Sequence, residues 1–212
     1  FTGDKILGKS NIIINKISPI ESASNGSITF IDNKKYFKNL NFTKACACII
    51  SESVLSKQNL KEGLTFLISK NPYLSYVKIL NIFYPDLKSY NQDKKNKIAV
   101  SNSAQLSKNV DLKNNVSIGD KTLIDSFSSI GPNVYIGKNC SIGNNVCISN
   151  AYIGNNVSIQ DGTVIGQDGF GYVFDGKQYI KVPQIGIVKI NDNVEIGSNC
   201  AIDRGSLNFT EI

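Results

Sequence analysis

Histidine is absent from the 212 residues, and so are methionine and tryptophan. Without histidine the chain cannot supply the side chain most often used as a general base near neutral pH, nor the commonest nitrogen ligand for zinc. The five cysteines, Cys46, Cys48, Cys140, Cys147 and Cys200, are odd in number and form no C-x-x-C pair. No metal site is expected from them, and they read as small buried thiols in a reducing compartment. With no methionine, Phe1 is not a natural translation start, and both ends are expected to be truncations of a longer protein. Arg204 is the single arginine, so lysine carries almost all the positive charge of a +6 chain. That charge would suit an acidic partner or nucleic acid, or simply reflect an AT-rich genome, and alone it decides nothing; no basic helix or recognised motif accompanies the lysines, which ranks direct nucleic-acid binding last. No apolar run approaches the roughly 18 residues of a membrane span. The start "FTGDKILGKS" has neither the charged nor the apolar region of a signal peptide. A soluble, unexported protein is expected.

What is present is a period. From Leu106 an aliphatic residue returns every six positions, at Leu112, Ile118, Ile124, Ile130, Ile136, Ile142 and Ile148. It resumes at Ile153, Ile159 and Ile165, then at Ile190, Ile196 and Ile202, fourteen rungs in all. Helices repeat near 3.6 and single strands at 2, so a period of six is neither. Two positions before many rungs stands a second small or branched residue, as at Val116, Val134, Cys140, Val146 and Val157, and Gly directly follows the rung at 119, 131, 137, 143, 154, 166 and 197. Each hexad reads as a short strand with two inward side chains and then a corner, and stacked hexads make a parallel β-solenoid. Ile202 is the last rung of this count, and no cap follows it.

The interruption, "GQDGFGYVFDGKQYIKVPQIGIV" from 166 to 188, is glycine-rich, carries Phe170, Tyr172, Phe174 and Tyr179, and has an Asp175-Gly176 turn signal. It is read as a loop at about 167–187 ejected from the solenoid, either lining a groove or packing on itself as a hairpin. Residues 1–98 lack the period. "SITFI", "ACACII" and "LTFLI" read as strands. "NPYLSYVKILNIFY" reads as a helix capped by Asn71, with Pro72 in its first turn and Leu74, Val77 and Leu80 on one face. "KSYNQDKKNKIAVSNSAQ" serves as linker and solenoid entry. The expected organisation is a small α/β domain over 1–98, then a mainly β solenoid over 99–212.

The aliphatic-Gly pattern resembles the hexapeptide-repeat acyltransferases, which implies a left-handed parallel β-helix. Longer stretches, "GSITFIDNKKY", "NPYLSY", "GTVIGQDGFGY", "KVPQIG" and "VEIGSNCAIDRGSL", look like the UDP-3-O-acylglucosamine N-acyltransferase family and occur in its order along nearly the whole chain. The resemblance implies transfer of a 3-hydroxyacyl chain from acyl carrier protein to the 2-amine of a UDP-glucosamine derivative during lipid A biosynthesis in Gram-negative bacteria. It further implies a homotrimer in the cytoplasm, peripheral at most to the inner membrane, with no cofactor other than the carrier's phosphopantetheine and no metal.

In that family an aromatic, an Asn three positions on and a second aromatic six positions on bind uridine, and here they match Phe30, Asn33 and Tyr36. Flat apolar faces suit a pyrimidine, and an amide can both donate to and accept from its edge. On residue type alone, two core aromatics and a turn Asn remain an alternative. The family's general-base histidine lies a coil or two past the "DRG" stretch, so it is expected beyond Ile212 and no catalytic residue is assigned within this chain. Glu195, Asp203 and Cys200 are the nearby groups that could replace it, though a carboxylate at its usual pKa is a weak base for this step. Asp203 and Arg204 either approach the catalytic cleft or pair along a solenoid face. The competing readings are a related sugar acetyl- or O-acyltransferase and a non-catalytic, nucleotide-binding solenoid.

Overall fold

The structure is a computed structural model that describes residues 2–55, 61–85 and 97–212, together with the backbone but not the side chains of Lys34 and Leu55. The chain divides into two compact units, residues 1–87 with 171–183, and residues 88–170 with 184–212. The insertion thus parts company with the sequence-based division at 98: its central residues belong to the first unit. Much of the expected linker lies outside the described residues.

The first unit is built on strands β1 (Lys5–Leu7), β2 (Lys16–Ile17), β3 (Ser27–Phe30), β4 (Ala47–Ile50) and β5 (Thr65–Ile68) in the order β1-β5-β4-β3-β2. All neighbours are parallel except β1 and β5. All four residues of the central strand β4 are buried, which explains its unbroken apolar run: a strand covered on both faces has no side to give to polar residues. Cys48 and Ile50 of β4 join Phe66, Ile31, Leu40 and Ile20 in a core on one face. Ala47 and Ile28 line a cleft on the other face with Ile79 and Phe83 of helix α2. A short helix α1 (Glu52–Leu55) follows β4, and α2 runs from Pro72 to Phe83. Asn71 caps α2 by accepting the Leu74 N–H at 3.0 Å, and Pro72 occupies the first turn, as the sequence predicts. The buried face differs by one position: Tyr76, Val77 and Leu80 are inside, whereas Leu74 is half-buried.

The second unit is the solenoid, with three parallel sheets, one per side of the coil. The rungs stack in register. Leu106, Ile124, Ile142, Ile159 and Ile196 form one column. Leu112, Ile130, Ile148, Ile165 and Ile202 form the second. Val100, Ile118, Ile136, Ile153 and Ile190 form the third. From Ile118 to Ile196 every rung isoleucine is buried, and together with Val116, Val134, Cys140, Val146 and Val157 they make one continuous core.

The rungs begin one six-residue step before Leu106, at Val100 of the strand Ile98–Val100 in the third column, and that column's sheet goes one strand past Ile202. Thr210–Glu211 pairs parallel with Val188 and Lys189, and the Ile212 N–H donates to the Lys189 carbonyl. The bend between Ile202 and this strand is held by backbone contact with the base of the insertion, where the Gly186 N–H donates to Gly205 O at 3.0 Å. A Cβ on Gly186 would stand 1.9 Å from Asn208 O, so only glycine lets the two segments meet.

The corners explain the asparagines. Asn115, Asn133, Asn139, Asn145, Asn150, Asn156, Asn193 and Asn199 all have positive φ, a region that Asn tolerates better than other side chains. They also stack: Asn115 donates to Asn133 and Asn133 to Asn150, while Asn139 donates to Asn156 and Asn156 to Asn193, at 3.0 to 3.3 Å. The insertion forms a hairpin of Tyr172–Phe174 and Tyr179–Lys181, turned by Asp175, whose carboxylate accepts the N–H groups of Lys177 and Gln178. Those bonds, Gln178's first, hold the Asp175 carboxyl below the usual range. The hairpin packs against α2 within the first unit.

Candidate nucleotide site

The three residues proposed for uridine sit where β3 ends and the chain turns. β3 lies beside β4, and its hydrogen bonds continue to Ile31, whose N–H donates to Ile49 O. Asn33 then stops the extended run and caps a 3-10 helix over Lys34–Asn41. Its Oδ1 accepts the Lys35 N–H at 2.9 Å, and its backbone carbonyl accepts the Tyr36 N–H at 3.1 Å. Asn33 and Tyr36 are therefore held by the same turn. The Asn33 amide nitrogen has no protein partner among the described residues, which leaves a donor, and one lone pair of Oδ1, for a base edge.

Tyr36 is 38% exposed and lies outside the core, with the Lys35 ammonium 5.6 Å from its ring centroid. Phe30 is half-buried and stacks on Tyr76 of α2, centroids 4.2 Å apart and planes 22° apart. Of the alternative reading, the local role of Asn33 holds, since it is a helix cap, and Phe30 has an aromatic partner inside the unit. Tyr36 is no core residue. Lys35 and Lys38 add positive charge along the same short helix. Sequence reasoning missed Tyr73 and Tyr76. Their signal was the pair of tyrosines three apart in "NPYLSY", one turn of a helix.

The groups weighed as replacements for a histidine do not form a site. Glu195 is exposed beside the inward Ile196. Cys200 packs against the solenoid core, with its thiol directed to Ser198 O. Asp203 is exposed, and Arg204 does not pair with it. The Arg204 side chain is 11% exposed, donates from Nε to Gly186 O at 2.6 Å and stands 3.9 Å from Asp168 Oδ1. Burial lowers its pKa and Asp168 partly restores it. Arg204 thus pins the base of the insertion, tying together the two strands between which the hairpin leaves and returns. Among the described residues no three histidine, cysteine or carboxylate groups converge on a possible metal position, and no helix is long and apolar enough to cross a membrane.

Two family models match this chain. "UDP-3-O-(3-hydroxymyristoyl) glucosamine N-acyltransferase, LpxD" covers residues 11–82, and "Bacterial transferase hexapeptide (six repeats)" covers residues 115–150. A UDP-3-O-acylglucosamine N-acyltransferase of Rickettsia conorii is 50% identical over 208 residues, 95% of this chain. The protein of the same name from Syntrophotalea carbinolica is 40% identical over 217 residues, 99% of this chain. The chain carries the LpxD-type domain over residues 11–82 and is similar to UDP-3-O-acylglucosamine N-acyltransferases along at least 95% of its own length. It spans 60% of the length of the first relative and 62% of the second. The solenoid is accordingly the left-handed parallel β-helix of the hexapeptide transferases. The family's first model ends within α2 and includes Phe30, Asn33 and Tyr36 together with both tyrosines that brace Phe30.

Proposed function

We propose that this chain is the uridine-binding and early solenoid portion of an enzyme that transfers a 3-hydroxyacyl chain from acyl carrier protein to the 2-amine of UDP-3-O-(3-hydroxyacyl)glucosamine in lipid A biosynthesis. The observation that carries the reading is the identity of 50% across 95% of the chain with a relative of that name, together with a family model whose range, residues 11–82, spans the turn that presents Phe30, Asn33 and Tyr36. In the reaction the amine attacks the thioester carbonyl, the C–N bond forms, the C–S bond breaks and the carrier thiol leaves. A base must take the amine's proton, and donors must hold the developing oxyanion. Among the described residues no group is placed for the first task, so the proposal assigns it to a histidine of the longer parent, past residue 212. The parent works as a homotrimer in the cytoplasm, and the net charge of +6 supports docking of an acidic carrier protein.

Calorimetric titration of UDP tests the nucleotide half. The chain binds UDP, and Phe30→Ala or Asn33→Ala weakens binding about tenfold or more. Unchanged affinity in both variants would remove the site. An assay of acyl transfer tests the other half: the parent turns over and the 212-residue chain alone does not. The absence of histidine favours a second reading, a nucleotide-binding module without chemistry, and an inactive parent would support it.

A further inference from the structure

Three aromatic rings meet at the end of β3. Tyr76 covers one face of Phe30, and Tyr73 lies 5.9 Å from both rings, tilted 47° to Phe30 and 27° to Tyr76. Tyr73 and Tyr76 are one helical turn apart on α2, a helix fixed at its start by the Asn71 cap and Pro72. Tyr76 is 2% exposed and so has no freedom to swing away, whereas Phe30 at the edge of the stack keeps part of its surface open to solvent. A ring held in this way presents a face of fixed orientation. A lone half-exposed phenylalanine would lose rotamer freedom each time a base bound.

We infer that Tyr76, backed by Tyr73, is a positioning residue of the nucleotide site: the pair sets the plane of Phe30 for stacking on a planar pyrimidine. Uridine need not touch either tyrosine. Their effect passes through Phe30, and what they supply is preference for a flat aromatic base over a puckered one of similar size and hydrogen-bonding pattern. This inference rests on the uridine reading of Phe30, Asn33 and Tyr36.

The test compares UDP with dihydrouridine diphosphate, whose base is saturated and non-planar, by titration into the 212-residue chain and its variants. The unmodified chain binds UDP about tenfold more tightly than the dihydro analogue. In Tyr76→Leu the preference falls toward unity through loss of UDP affinity, while the analogue's affinity is nearly unchanged. Tyr76→Phe, which keeps the ring, retains the preference. If Tyr76→Leu weakens both ligands alike, or neither, Tyr76 is structural only and the inference is overturned. Should that variant fail to fold, the half-buried Tyr73→Leu is read in the same way, and an unchanged preference there overturns the inference. Phe30→Leu separates the two levels. If it leaves UDP binding intact, the uridine site itself is wrong. If it abolishes the preference and neither tyrosine variant changes it, the site stands and the brace alone is lost.

Discussion

The ring of Tyr135 lies on the ring of Tyr152, one coil further along, with centroids 4.8 Å apart and planes 6° from parallel. The two residues are register partners in adjacent strands, each between two inward side chains. In a solenoid, one position per coil repeats at the strand spacing on the same face, so a like pair is brought into contact whenever the sequence repeats it. The asparagine corners obey the same rule.

The tyrosine pair should show a measurable coupling. Each ring is about 40% exposed, at 42% and 41%, so area burial alone predicts a small loss on truncation. Stacked pairs add about 0.5–1.5 kcal/mol beyond burial. Tyr135→Ser and Tyr152→Ser are each expected to lower stability, and the double variant to lower it by less than the sum. Urea unfolding of the four proteins measures this, and strict additivity would mean that the stack contributes nothing.

Phe127 should be improvable. It stands at a corner with φ of +63° and is 64% exposed, whereas the equivalent positions in the next coils are Asn145, Gly162 and Asn199. A bulky side chain in the left-handed region costs about 1–2 kcal/mol, and exposure leaves little burial to offset it. Phe127→Asn is therefore expected to stabilise the chain by about 1 kcal/mol, read as a rise in the urea midpoint at constant slope. A fall would show that Phe127 makes a contact worth more than its backbone strain.

Gly166 and Gly176 share a backbone region but not a fate. Both have positive φ, at 81° and 101°. A Cβ on Gly166 would lie 1.6 Å from the Ser149 carbonyl oxygen, while nothing lies within 4 Å of one on Gly176. Gly176→Ala meets only backbone strain, about 1 kcal/mol. Gly166→Ala must also push the neighbouring coil apart, where Ser149 Oγ donates to Gly166 O, and is expected to cost more than about 2 kcal/mol. Equal losses would mean that the solenoid yields freely at the root of the insertion.

These cases show what the sequence could carry. The six-residue period was legible because stacking repeats one requirement at every coil: an aliphatic rung inside and a permissive corner outside. Val100 and Ile212 escaped it: Val100 keeps the six-residue step to Leu106 but falls in "KIAVSNSAQ", a stretch read as linker, and Ile212 follows a bend shaped by the Gly186–Gly205 contact rather than by a hexad. At the nucleotide site Phe30, Asn33 and Tyr36 share one short stretch, so spacing could mark them. Tyr73 and Tyr76 reach Phe30 only after β4 has been laid beside β3, β5 beside β4, and α2 has packed back on the sheet, and no local pattern records that. The hairpin's membership in the first unit is likewise a tertiary fact, set by packing on α2.

Cys48 ties the stability of the first unit to alkaline pH. Its side chain is fully buried in the centre of the sheet, and burial pushes the thiol pKa from an ordinary 9.0 up to about 12. The folded state thus favours the protonated thiol. Below pH 9 both folded and unfolded chains hold the proton, and the stabilisation is fully present. Between pH 9 and about 12 the unfolded chain ionises while the folded one does not, so stability falls as pH rises, by roughly 4 kcal/mol across the interval. Urea midpoints measured from pH 8 upward should show this decline. Cys48→Ala should start lower, because it leaves a small cavity, and should fall less steeply. At pH 8 the native thiol should also resist iodoacetamide while the half-buried Cys147 and Cys200 react. Modification of Cys48 at the rate of Cys147 would show that the central strand opens far more often than its burial implies.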